Sequence, residues 1–207
     1  MASNTRQRLV ESASHRFYRD GFRNVGLDQV IDDVGISRTA FYKHFESKDD
    51  LMLEVLESMN GWIQDVFRTM IRERGGRSAA GQLRALFDVV ERVIETDGFQ
   101  GCIFVNAAME FPLHHDPAHE AAARNKRAIE EIVHDLAERA GAADPQAVAE
   151  ELCLIMEGAY VTRQVTGRSD AIRIARRLAD RVLAASLREG VVAPLPIPGA
   201  TPGMPPA

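Results

Sequence analysis

Ser37, Arg38, Thr39, Tyr42, Lys43, His44 and Lys48 place seven side-chain hydrogen-bond donors within twelve residues. From Arg38 to Lys48 three bases face one acid, Glu46. No nucleophile stands beside a general base here. The chemistry on offer is donation to acceptors, and phosphate oxygens and the edges of base pairs are the acceptors that suit it. The fork of Arg38 can pair bidentately with a guanine. Such donors act together only if one rigid element carries them. Ser37 is a natural N-cap for a helix over about 38–44, because its hydroxyl can accept from an orphan N–H. Before it, Leu27, Val30, Ile31 and Val34 form the apolar stripe of a helix over about 27–34, and Gly35 makes the turn. Two short helices joined in this way predict a helix-turn-helix, whose second helix enters the major groove of DNA. Phe41 and Phe45 are expected in its core.

Charge alone neither supports nor opposes this. The 207 residues carry a net charge of −5. Residues 1–50 hold eight bases and eight acids, so the remainder carries the whole deficit. A small basic surface can still sit on an acidic body. Hydrophobic content of 45% is that of a globular chain. Two distant cysteines, Cys102 and Cys153, make neither a disulfide framework nor a zinc cage and fit a reducing compartment. With no signal-peptide pattern and no apolar run of about 18 residues, the chain is expected to be soluble, cytoplasmic and unattached to a membrane.

Helical periodicity runs through most of the sequence, and no alternating strand pattern appears. A first helix is expected over about 6–20, ended by Gly21. Ser47-Lys48-Asp49-Asp50 resembles an acidic capping box and opens a long helix to about 74, with a stripe from Met52 through Val55, Leu56, Met59, Trp62 and Ile63 to Phe67 and Met70. Arg74-Gly75-Gly76-Arg77-Ser78 breaks it. Further helices are predicted at about 79–96, 101–111, 117–140, 145–166 and 170–189. Asp116-Pro117 and Asp144-Pro145 supply caps followed by a proline at the first helical position. Six prolines between Val191 and Ala207 mark an unpacked tail. The expectation is an all-α chain of nine helices in three parts: a helix-turn-helix head over 1–47, a helical body over 48–190, and a proline-rich tail over 191–207.

Residues 6–56 resemble the DNA-binding head of the TetR (tetracycline-repressor-like) family of transcriptional regulators. The resemblance rests on Phe17 with Asp20-Gly21-Phe22, on Val30-Ile31 with Val34-Gly35-Ile36-Ser37, on Phe41-Tyr42-Lys43-His44-Phe45, and on Ser47-Lys48 with Leu51. It implies that Tyr42 and His44 donate to backbone phosphates, joined by Lys48 at the positive N-terminal end of the fourth helix. Ser37, Arg38, Thr39 and Lys43 would then face the groove. Two positions depart from the family pattern. Gly26 stands where a Ser or Thr cap is common, and Thr39 where a glycine or small residue is common. Contacts from the start of the second helix, Asp28 included, are therefore not implied.

The resemblance further implies a ligand-binding and dimerisation body, with the last two helices pairing across a homodimer. Ile172, Leu178, Val182 and Leu183 would make its apolar seam, and Arg173, Arg176, Arg177 and Arg181 a charged rim. Asn106 and Glu110, four apart among apolar residues, are candidate polar hooks of a pocket, or else partners of buried backbone groups or arginines. Trp62, Phe87, Phe104, Met109, Met156 and Tyr160 are candidate pocket walls, with ordinary core as the rival role. Cys102, near a helix N-terminus, would be a redox or electrophile sensor or a small buried hydrophobe. His114, His115, Asp116, His119 and Glu120 invite a metal, but Asp116 already serves as a cap, and no metal or cofactor is expected.

The expected function is a ligand-responsive homodimeric repressor, not an enzyme, binding a palindromic double-stranded operator and an unknown small-molecule effector. Two alternatives compete. One is a helical small-molecule-binding protein or enzyme with a vestigial head, and the other is a thiol-based redox or electrophile-sensing regulator.

Overall fold

The computed structural model describes residues 2–168 and 170–187. Among them every regular element is helical: α1 (Ala2–Asp20), α2 (Leu27–Val34), α3 (Arg38–Phe41), α4 (Lys48–Gly75), α5 (Ala79–Ile94), α6 (Ile103–Glu110), α7 (Pro117–Arg139), α8 (Pro145–Thr166) and α9 (Ala171–Ser186). No described helix is long and apolar enough to cross a membrane. The proline-rich segment 191–207 lies outside the described residues.

The predicted helices all occur, and their ends differ where local sequence carries little signal. α2 and α8 have the expected limits. α1 starts at Ala2 rather than Arg6, ahead of the first apolar residue of its stripe, Leu9. α6 starts at Ile103 because Gly101 has φ +85°, a left-handed conformation that no helix contains. α5 stops at Ile94 and α9 at Ser186, each short of expectation. The largest correction concerns α3, which ends at Phe41 with Tyr42–His44 in a following turn. The amide of His44 bonds the carbonyl of Phe41, tightening the chain so that Phe45 turns back into the core.

Caps explain the starts. The hydroxyls of Ser37, Ser47 and Ser78 accept from the amides of Ala40, Asp50 and Gly81, and the carboxylates of Asp116 and Asp144 accept from Ala118 and Ala147.

Two apolar clusters form the interior. The first joins α1–α3 and the start of α4 to α6 and the first turns of α7, through Phe17, Phe22, Phe41, Leu51, Phe104 and Ala121. The second packs the far half of α4 with α5, the far half of α7, α8 and α9. The head's core therefore crosses residue 48 and reaches into the body. α4, with 28 residues, runs about 42 Å and threads both clusters. Its sequence stripe is wider than its buried side, so Trp62 stands 60% exposed between them.

Candidate nucleic-acid interface

The turn between α2 and α3 is built without a serine or threonine cap at its start. Gly26 is the N-cap of α2, and Gln29 compensates by accepting the Gly26 amide at 2.7 Å. At the other end Gly35 adopts φ +69°, ψ 43°. Its amide reaches the carbonyl of Asp32, and the Ile36 amide reaches that of Ile31. This paired closure is a Schellman motif, which needs a left-handed residue. Two arginines of α1 hold the unit in place. Arg16 grips Asp33 with two hydrogen bonds, and Arg8 donates to the Val34 carbonyl at 2.6 Å.

Phe41 and Phe45, buried and stacked at 5.8 Å between centroids, anchor α3 and its turn from below. The seven donors then lie on the outside. Ser37, Arg38, Thr39, Tyr42 and Lys43 are exposed, and His44 and Lys48 are half-buried. Tyr42 stands between the two phenylalanines in sequence, yet 53% of it is exposed, with only its ring edge on Phe41. The ammonium of Lys48 lies 6.0 Å from the centroid of the Phe17 ring. Arg38 forms a two-point ion pair with Asp28 of α2, a residue the sequence reading had set aside.

The expected effector-binding residues are divided between the two clusters and the surface. Phe87 and Met156 are buried in the distal cluster, whereas Phe104 belongs to the cluster shared with the head. Trp62 and Met109 are largely exposed. Among the eight, only Phe87 lines either of two clefts described here, one of about 320 Å³ between α4, α5 and α9. Helical spacing identifies apolar faces but not which of two cores a face joins. Asn106 and Glu110 do bond, but to protein. Asn106 donates to the Gln100 carbonyl at 2.9 Å, beside Gln164. The carboxylate of Glu110 accepts the amides of Phe22 and Arg23 at 2.9 and 2.7 Å, in the loop after α1.

A second link grips the opposite end of α6. The hydroxyl of Tyr18 accepts the Gln100 amide at 2.8 Å and donates to the Gly101 carbonyl at 3.1 Å. α6 is thus clamped at both ends to the final turn of α1 and the loop after it. Burial raises the pKa of the Tyr18 phenol, so it remains protonated and able to donate. Tyr18, Gln100 and Gln164 escape sequence reading because their partners are backbone groups or residues more than fifty positions away. Glu110→Ala is expected to cost about 1–3 kcal/mol, since two charge-assisted bonds are lost. Urea unfolding should show a lower midpoint with an unchanged slope, and an unmoved midpoint would refute the clamp.

Other expectations resolve as follows. His114 and His119 bond each other at 3.1 Å, and His119 also contacts the Phe111 carbonyl. Burial pushes the Cys153 thiol up to about 12, leaving it protonated and unreactive at neutral pH. Cys102 is the N-cap residue of α6 and half-buried. In α9, Arg176 is turned inward onto Asp88 and Glu91 of α5, and Ile172 and Leu183 are buried within the protomer. Ile172 and Leu183 are thus spent inside the protomer rather than offered to a seam, and Arg176 is partly engaged within it.

Known proteins agree with this geometry. Residues 9–55 match the family model described as bacterial regulatory proteins, tetR family, and residues 79–179 match that of the tetracyclin repressor-like C-terminal domain. The HTH-type transcriptional regulator YjdC of Escherichia coli is 26% identical over 164 residues, covering 79% of this chain and 85% of its own. The HTH-type transcriptional activator FasR of Mycolicibacterium smegmatis is 31% identical over 105 residues, covering 49% of this chain and 46% of its own. A crystal structure of a TetR-family transcriptional regulator from Streptomyces coelicolor superimposes with a TM-score of 0.79 at 28% identity, covering 89% of this chain and 96% of that one. With its head and body each matching one half of that architecture, the chain belongs to the TetR family of transcriptional regulators and carries the family's helix-turn-helix DNA-binding domain.

Proposed function

We propose that the protein is a cytoplasmic, homodimeric, effector-responsive repressor that reads a palindromic operator through α3 and the turn after it. The observation that carries this reading is the exposure of Tyr42 between two buried phenylalanines. The phenylalanines fix the turn from below, so that Tyr42 joins exposed Arg38 and Lys43 in presenting donors to solvent. Ser37, Arg38, Thr39 and Lys43 face the groove, while Tyr42, His44 and Lys48 donate to phosphates. No catalytic step belongs to this reading.

The second copy is supported by an apolar stripe on the outer side of α8. Leu154, Gly158, Val161 and Val165 recur at spacings of four, three and four, all exposed. Leu154 is 72% and Val165 76% exposed, and Leu178 of α9 adds to the stripe. Such a patch on a folded protomer marks an interaction surface, and a two-fold axis lets it pair with itself. The seam therefore lies chiefly on α8, with Leu178 and the exposed Arg173, Arg177 and Arg181 of α9 at its side.

Effector response is supported by the two-ended clamp on α6. A small molecule that shifts α6 must move Tyr18, Phe22 and Arg23 with it, and so the head. Of the expected effector residues, Glu110 is part of this clamp, and Asn106 and Tyr160 lie beside the segment 100–102 at its other end. Binding that favours a different head spacing would lower operator affinity by population shift.

The experiment is selection of duplexes by the purified protein, followed by anisotropy titration of variants against the enriched sequence. Lys48→Ala should weaken binding of all sequences and reduce the salt slope by about one. Arg38→Ala should cost roughly 5- to 150-fold at one base pair per half-site. Unchanged affinity and salt slope in both variants would refute the reading.

A further inference from the structure

Arg38 and Asp28 face each other across the turn, ten residues apart and both more than half exposed. Nε of Arg38 donates to one carboxylate oxygen at 2.9 Å and Nη2 to the other at 2.7 Å. A guanidinium has five N–H donors in a fixed fork. Asp28 occupies the edge formed by Nε and Nη2. The end edge, formed by Nη1 and the second hydrogen of Nη2, stays free, and it has the geometry for a guanine O6 and N7. The ion pair therefore leaves Arg38 able to read DNA and limits how it can do so.

That limit affects discrimination. An unrestrained arginine samples many side-chain rotamers. Facing a wrong base, it can swing to the nearest phosphate and recover much of the lost contact. An arginine held by one edge must first break that pair, which biases it against the swing. The neighbours set no rival pairing. Asp32 and Asp33 also lie on α2, but Asp33 is held by Arg16, and Arg38 has no hydrogen bond to either. An exposed pair of this kind adds little to stability, so its geometry has to be explained in another way. The Arg38 guanidinium holds the Asp28 carboxyl below the usual carboxylate range, and both partners are charged at neutral pH.

We propose that Asp28 is a specificity-determining positioning residue of the operator-reading head, holding Arg38 by one edge so that its other edge is offered to a guanine and withheld from phosphate. This rests on the reading of α3 as the DNA-contacting element. The charge of Asp28 also opposes non-specific binding, because it offsets the charge that Arg38 would otherwise offer to any phosphate.

The test uses the full chain and randomised duplexes, with Asp28→Ala, Asp28→Asn, Arg38→Ala and the double variant compared with wild type. Circular dichroism checks that each folds, which the exposure of both residues makes straightforward. Asp28→Ala should lower the guanine preference about tenfold at one base pair per half-site, the same base pair affected by Arg38→Ala. Affinity for unrelated DNA should rise, and the double variant should discriminate no worse than Arg38→Ala alone. Asp28→Asn, which keeps the shape but loses the charge and one acceptor, should fall between. Preferences unchanged in Asp28→Ala, or lost at a base pair that Arg38→Ala leaves intact, would overturn the proposal. A wild type that enriches no sequence would overturn the DNA reading itself, a distinct outcome visible before any variant is compared.

Discussion

Leu154→Arg, combined with Val161→Arg, is expected to convert the protein to a monomer and lower operator affinity at least about a hundredfold. In the protomer both side chains are exposed, so the substitutions remove little internal packing. In a two-fold dimer each appears twice and places four charges in one seam. Burying a leucine contributes about 1.5–3 kcal/mol, and desolvating an unpaired arginine costs more than is gained. Loss of the dimer removes the simultaneous engagement of two half-sites about 34 Å apart, so each head binds alone. Light scattering coupled to gel filtration reads the mass, and anisotropy reads the affinity. A variant that remains dimeric with wild-type affinity would refute the α8 seam. Gly158 offers a discriminating companion. No protomer atom lies within 4 Å of the position a Cβ would take. Alanine there should therefore favour the isolated helix by about 1 kcal/mol and weaken only the dimer if the two helices cross closely.

Gly75→Ala is expected to destabilise the fold by about 3–5 kcal/mol, although helix propensity argues for a gain of about 1 kcal/mol. A Cβ at Gly75 would stand 2.4 Å from the Gln82 Cα and 2.5 Å from its nitrogen. The approach is reciprocal, since a Cβ at Gly81 would stand 2.3 Å from the Gly75 carbonyl oxygen. Backbone on both sides leaves no rotamer to relieve the clash. The α4–α5 corner would have to open, straining the bond from the Gln82 side chain to the Gly76 carbonyl at 2.7 Å and the packing of Leu83. Gly61→Ala, in the same helix with nothing within 4 Å, should instead be neutral or slightly stabilising. Thermal or urea unfolding of the pair decides the matter. Gly75→Ala as stable as wild type would show that the corner adapts.

The head was legible because its information is local. Periodic apolar residues, a turn glycine and a capping serine act over three or four positions. Thus α2 appears with its expected limits, Ser37 caps α3, and Phe41 and Phe45 are buried while Tyr42 is exposed. α3 ended early because the return of Phe45 to the core, a tertiary demand, outweighed the helix-compatible residues 42–44. The body was legible as helices but not as an arrangement of them. Arg176 looked like a dimer-rim residue and is a ligand of Asp88 and Glu91 on α5. Gly75 and Gly81 looked like chain breakers and are contact points of two backbones.

By itself the sequence determined the nine helices among the described residues, most of their caps and a cluster of donors suited to DNA, since each follows from the chemistry of neighbours along one chain. Only the tertiary structure decided that Glu110 holds the loop after α1, that Tyr18 holds the opposite end of α6, and that Asp28 holds Arg38. The first two take backbone groups more than eighty residues away as partners, and every residue carries such groups. An amide leaves no mark on the side-chain pattern, so no spacing could have pointed to it. The Asp28–Arg38 pair, only ten residues apart, needed the angle set by Gly35 before two ordinary surface charges could meet.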